Sequence, residues 1–124
     1  MVALGAVHIS SEYPQELGVF YQNVLGIDPE WISEQGASFV IGSSRLLILG
    51  HDRVRGKNSS PERMFFDILV DDVAAEFKRV VALGAVAVQE PYAFDEGEEG
   101  MRLIIATLAD LDGNYFQLMS MSAR

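Results

Sequence analysis

The chain has 124 residues, 49% of them hydrophobic, with no cysteine and a formal net charge of −9 at pH 7. That length supports one domain, or two small units sharing a core, and the apolar fraction is enough for ordered packing. The acidic balance excludes the basic footprint of nucleic-acid binders and of proteins that lie on anionic membranes, and the missing thiols exclude disulfides, thiolate metal sites and cysteine nucleophiles.

No apolar run reaches the ~18 residues that a membrane helix needs. The first residues lack a basic segment followed by a long apolar one, so no signal peptide is expected. A cytoplasmic location is the expectation that fits, and absent cysteine agrees with it.

Ala3 to Ser10 reads as a short strand, in which Val7 and Ile9 alternate with Ala6, His8 and Ser10. Pro14 suits the first turn of a helix, where its missing N–H is not needed. Leu17, Phe20, Tyr21, Val24 and Leu25 then follow the spacing of a one-sided apolar helix, and Gly26 ends it. Short strands are expected near Glu30–Ser33, Ala37–Ile41 and Arg45–His51, separated by Gln35-Gly36 and Gly42-Ser43-Ser44. The polar stretch from Asp52 to Glu62 holds the linker, which is placed at residues 57–62.

The same order then starts again. Arg63 to Val70 reads as a strand, and Asp71 or Asp72 can cap the next helix. Val73, Phe77, Val80 and Val81 give that helix one apolar face, and Gly84 closes it. Val86 to Gln89 reads as a short strand and Glu90 to Gly100 as a long acidic loop carrying Tyr92 and Phe94. Two apolar runs then flank Asp110-Leu111-Asp112-Gly113-Asn114, a strong hairpin signal because Gly and Asn tolerate positive φ. The chain is therefore read twice as strand, helix and three strands: residues 1–56, the linker 57–62, and residues 63–124, in one compact domain. Repeats of roughly half this length are marginal alone, so they are expected to share a sheet or to pair with another chain.

Several phrases in this order resemble the vicinal oxygen chelate superfamily, which includes glyoxalase I, extradiol dioxygenases and bleomycin-resistance proteins. They are Phe20-Tyr21-Gln22-Asn23-Val24-Leu25-Gly26, Val70-Asp71-Asp72-Val73, Leu83-Gly84-Ala85, and Asp110-Leu111-Asp112-Gly113-Asn114 followed by Phe116-Gln117-Leu118. The turn departs from the usual pattern only in having Leu111 where proline is common. The resemblance covers essentially the whole chain. It implies an α+β fold of two βαβββ modules, whose curled mixed sheet surrounds a shared cavity, commonly in a homodimer. It does not imply one reaction, because function lives in the site.

Metal-dependent relatives place ligands on cavity-facing positions of the first and fourth strand of each module. Matched by spacing, these are Ala6, Leu49, Phe65 and Gln117. Three are apolar, and an amide is a poor ligand beside carboxylate or imidazole. No cofactor is therefore expected, with a divalent metal in a displaced site as the alternative. Residues two apart on a strand share a face. By that parity His8, His51, Asp67 and Gln117 face the cavity, while Val7, Ile9, Leu46, Ile48, Phe66, Ile68, Val70, Phe116 and Leu118 face the helices.

The expected ligand-binding set is His8, Leu49, His51, Phe65, Asp67, Tyr115 and Gln117. Histidine moves protons near neutral pH, Asp67 accepts from a hydroxyl or amine, and Gln117 both donates and accepts. Leu49, Phe65 and Tyr115 supply apolar walls. Plainer roles stand beside these: His8 as a structural histidine, His51 as a solvated strand end, Gln117 as a cross-strand partner. Trp31, Tyr92 and Phe94 can cap a pocket or simply pack, and Arg102 can meet a carboxylate ligand or the acidic loop beside it.

Beside a purely structural or regulatory dimerisation module, two functions follow. One is a glyoxalase/bleomycin-resistance-like protein that binds a small molecule in an apolar cavity without the usual metal. The other is a lyase, isomerase or dioxygenase using His8, His51 and Asp67 for a displaced metal or for acid/base chemistry. Neither needs nucleic acid or a membrane as partner.

Overall fold

The repeat in the sequence is a repeat in the structure. The computed structural model describes residues 1–94 and 101–123, and two compact units divide the chain, Met1–Lys57 and Asn58–Arg124. The first runs β1 (Ala6–Ser11), α1 (Pro14–Leu25), β2 (Trp31–Ser33), β3 (Gly36–Ile41) and β4 (Ser44–Gly50). The second opens with a single 3-10 turn at Pro61–Arg63. It continues as β5 (Phe66–Leu69), α2 (Val73–Ala82), β6 (Val86–Phe94), β7 (Met101–Ala109) and β8 (Tyr115–Ala123). The sheet orders are β1-β4-β3-β2 and β5-β8-β7-β6. In each, the first and last strands are parallel and the other pairs antiparallel. These are two βαβββ modules of one α+β topology.

One helix covers one face of each sheet. In the first unit Leu17, Phe20, Tyr21 and Val24 of α1 are buried with Ala37, Phe39, Leu46 and Ile48 of the strands. Gly18 lets the helix sit close, since a Cβ there would meet that of Ala37 at 3.0 Å. Gly36 starts β3 at φ 141°, and any Cβ would run into the carbonyl oxygen of Ile48. In the second unit Val73 and Val80 of α2 are buried, as are Ala106, Leu108, Phe116 and Leu118 of the strands. Asp72 caps α2, accepting from the Ala75 N–H at 3.1 Å. Val81, expected on the apolar face of this helix, is 37% exposed.

Several element boundaries differ from expectation: β1 starts at Ala6 rather than Ala3, and β5 spans Phe66–Leu69 rather than Arg63–Val70, so Phe65 precedes the strand. β6 extends through Glu90–Phe94, where a loop is expected. Register shifts after Ala87 and Gln89 absorb the irregularity. Pro91 is tolerated because β6 is an edge strand, where a missing N–H breaks no ladder on the open side. The rest of the acidic loop, residues 95–100, lies outside the described residues. β4 ends at Gly50, so His51 is not a strand residue.

Candidate functional site

Strand register decides which polar side chains meet. In the first unit the face away from α1 carries the row His8, Leu47, Ser38 and Trp31, one residue from each strand. The His8 side chain is exposed and makes no hydrogen bond to any described residue. Three polar side chains nearby satisfy each other. Ser38 Oγ donates to Glu30 Oε1 at 2.8 Å, and Arg45 reaches both Glu30 oxygens, from Nε at 2.8 Å and Nη2 at 3.2 Å. The Arg45 guanidinium, then the Ser38 hydroxyl, hold the Glu30 carboxyl below its ordinary value.

His51 lies past the end of β4. Its Nδ1 accepts from the Arg53 N–H at 3.0 Å and stands 3.3 Å from Asp52 Oδ1. Gly50 pairs with Ser11, so His51 is well removed along the sheet from the row of His8. With Leu49 it instead lines an open cleft of about 500 Å³, bounded also by Glu12, Glu34, Gln35 and Arg55. Parity along β4 groups Leu49 with His51 but cannot bring in Glu12, Glu34, Gln35 and Arg55, which lie outside that strand.

In the second unit the face away from α2 carries the row Asp67, Gln117, Thr107 and Gln89. Gln117 Nε2 donates to Thr107 Oγ1 at 3.0 Å. Asp67, beside Gln117, has no hydrogen-bond or ion-pair partner among the described residues. It keeps solvent access, yet burial by its surroundings raises its carboxyl above the ordinary 3.8. The adjoining rows are apolar. Phe65 and Tyr115 meet edge to face, with ring centroids 6.5 Å apart, on one side. Leu69, Met119, Ile105 and Tyr92 form the row on the other.

Sequence reading misses Thr107, although the signal is present. The hairpin pairs Ala109 with Tyr115, and counting two residues away from the turn along each strand brings Thr107 opposite Gln117. Trp31 and Tyr92 are exposed, and the Phe94 side chain is outside the described residues. Arg102 lies on the opposite face of β7 from Thr107, so it does not join this row.

The superfamily's metal positions can be tested against these contacts. Ala6, Leu49 and Phe65 carry no donor atom on their side chains. Gln117 offers a neutral amide already committed to Thr107. The register seats Asp67, not Phe65, beside Gln117. Among the described residues no three His, Asp or Glu side chains converge closely enough to hold an ion. The four positions do not fit a divalent metal.

The fold is that of glyoxalase-like proteins, and the sequence agrees. The glyoxalase-like domain profile matches residues 2–119. The chain belongs to this family, within the vicinal oxygen chelate superfamily. Solved structures share the fold at low identity. A glyoxalase/bleomycin resistance protein/dioxygenase family enzyme from Burkholderia phytofirmans PsJN superposes with a TM-score of 0.73 at 19% identity, covering 96% of this chain and 98% of that one. A glyoxalase/bleomycin resistance protein from Albidiferax ferrireducens T118 gives 0.74 at 18%, covering 94% and 98%. A glyoxalase-related enzyme from Fulvimarina pelagi gives 0.75 at 18%, covering 97% and 88%. A comparison with curated proteins returns no match.

Proposed function

We propose that this chain binds a small organic molecule on the open face of the β5–β8 sheet, without a divalent metal, and works as a cytoplasmic homodimer. The observation that carries the reading is the row Asp67–Gln117–Thr107. It is a short line of hydrogen-bonding groups between apolar rows, and one member, Asp67, has no protein partner among the described residues. Small-molecule sites are built this way, with a few placed polar groups in an apolar surround. In the first unit taken by itself, Leu49 and His51 line a cleft and His8 stands exposed on a sheet face.

A thermal-shift screen of small molecules tests it, since a ligand of the native state raises apparent stability. Hits are expected, and they should weaken in Tyr115→Ala and Gln117→Ala variants that remain folded. Metal analysis of protein purified without chelator should find less than one ion per chain. Stoichiometric zinc, nickel, manganese or iron that is lost in His8→Ala would instead support the superfamily's lyase, isomerase or dioxygenase chemistry. The raised Asp67 carboxyl favours a second reading, acid/base catalysis on the same bound molecule, because such a group accepts a proton more readily.

A further inference from the structure

Resting on the binding reading above, we infer that the molecule held on this face carries a protonated amine. Its ammonium group sits against Asp67, and its apolar body lies along Phe65 and Tyr115.

The polar row is rich in acceptors. Both Asp67 oxygens lack protein donors among the described residues. Gln117 directs Nε2 to Thr107 Oγ1, which leaves Oε1 without a donor among the described residues. An ammonium group has three N–H donors and no acceptor, so it complements these oxygens. The single basic residue in β5–β8 is Arg102, and it faces the other way. A ligand carboxylate or phosphate would therefore meet Asp67 with no guanidinium, ammonium or imidazolium on these strands to balance it. A neutral hydroxyl would fill one acceptor and leave the carboxylate charge unpaired, next to apolar rows where charge is costly.

The flanking residues support the same choice. Phe65 and Tyr115 present an edge-to-face aromatic pair one row from Asp67. Aromatic faces attract cations as well as apolar groups. The chain's net charge of −9 adds a long-range field that favours approach of a cation. Asp67 is exposed, but its surroundings desolvate it in part, which strengthens a pairing it makes relative to one in open water.

Three probes with one ring and different head groups test the inference: benzylamine, benzyl alcohol and benzoate. Each is titrated into the full chain at pH 7 and followed by two-dimensional amide NMR, at the Gln117 side chain and the Thr107 and Asp67 backbone. Benzylammonium is expected to give saturable shifts at these residues. Benzyl alcohol should bind roughly tenfold or more weakly, the scale of a charge-assisted hydrogen bond, and benzoate should leave them unmoved. Asp67→Asn should bring benzylammonium down to the affinity of the alcohol while leaving the alcohol unchanged. Equal binding of alcohol and amine, or full amine affinity in Asp67→Asn, overturns the amine inference and leaves the site standing. No response from any probe at these residues overturns both the inference and the site.

Discussion

Gln117 and Thr107 face each other across the β7–β8 ladder, joined from Nε2 to Oγ1 at 3.0 Å. The bond holds the amide next to Asp67, at the position that the family resemblance matches to a metal ligand. Gln117→Glu therefore tests two ideas. It sets two carboxylates side by side across the β5–β8 pair, where like charges repel. The variant should lose about 1 kcal/mol at pH 7, and most of that loss should disappear below about pH 4, where carboxyls protonate. It should still bind no stoichiometric zinc or manganese in equilibrium dialysis, because Ala6, Leu49 and Phe65 lack donors. Chemical denaturation at two pH values reads the first effect and metal analysis of the dialysed protein the second.

Asp67 makes a prediction of opposite sign from the usual acidic residue. Its folded carboxyl is raised above the ordinary 3.8 by burial, so the fold holds its proton more firmly than the unfolded chain does. Its contribution is most favourable below the unfolded value and is lost as pH rises through the raised folded value. Among neighbouring elements, β8 contributes the Tyr115 hydroxyl as a titratable group, β7 contributes only Thr107, and α2 lies on the other face. Asp67→Asn should therefore be more stable than the wild type at pH 7 and equal to it near pH 3. The gain is modest because the group keeps solvent access. Thermal melts of both proteins across this range check the sign.

The parts of the fold legible in the sequence are those set by local chemistry. Pro14 opens α1, Asp72 caps α2, and Asp110 to Asn114 makes the hairpin, each through its own backbone preference. Alternation placed Val7, Ile9, Leu46, Ile48, Phe116 and Leu118 toward the helices because period two is rigid within a strand. Parity fails where a strand stops or bulges. His51 lies beyond the strand once β4 ends, though it still lines a cleft with Leu49, and Glu90 to Phe94 join β6 through two irregularities that no pattern announces. The Glu30–Ser38–Arg45 cluster depends on residues up to 15 apart meeting across strands, so it emerges only once the register is known.

Gly36 should be among the least replaceable residues of the first unit. Its φ of 141° is rare for other residues, and a Cβ would meet the backbone carbonyl of Ile48, which no side-chain rotation can relieve. Gly36→Ala must either break the pairing of Gly36 with Leu49 or shift β4, and a cost of about 3 kcal/mol or more is expected. Gly5→Ala is the control, because a Cβ there meets nothing within 4 Å. Urea denaturation of the pair should separate them clearly, and similar midpoints would sink the account.

Asp110 is 2% exposed and organises the β7–β8 turn from inside it. Its Oδ1 accepts from the Asp112 N–H at 2.9 Å and the Asn114 N–H at 3.0 Å, and its Oδ2 accepts from Asn114 Nδ2 at 3.1 Å. Its own N–H donates to the Asn114 carbonyl at 2.9 Å. Asn58, the first residue of the second unit, is tied to the same turn. Its N–H reaches the Asp112 carbonyl at 2.8 Å and its Nδ2 reaches Asn114 Oδ1 at 3.0 Å. Asp110→Ala removes the acceptor and strands several donors, for an expected loss of about 2–4 kcal/mol. Asp110→Asn retains one carbonyl acceptor and should cost roughly half as much. The turn also sets the register that brings Thr107 to Gln117, so the damage should reach the candidate site. In Asp110→Ala the Gln117 side-chain amide should move toward solvent-exposed chemical shifts, whereas in Asn58→Ala, which leaves the Asp110 bonds intact, it should hardly move.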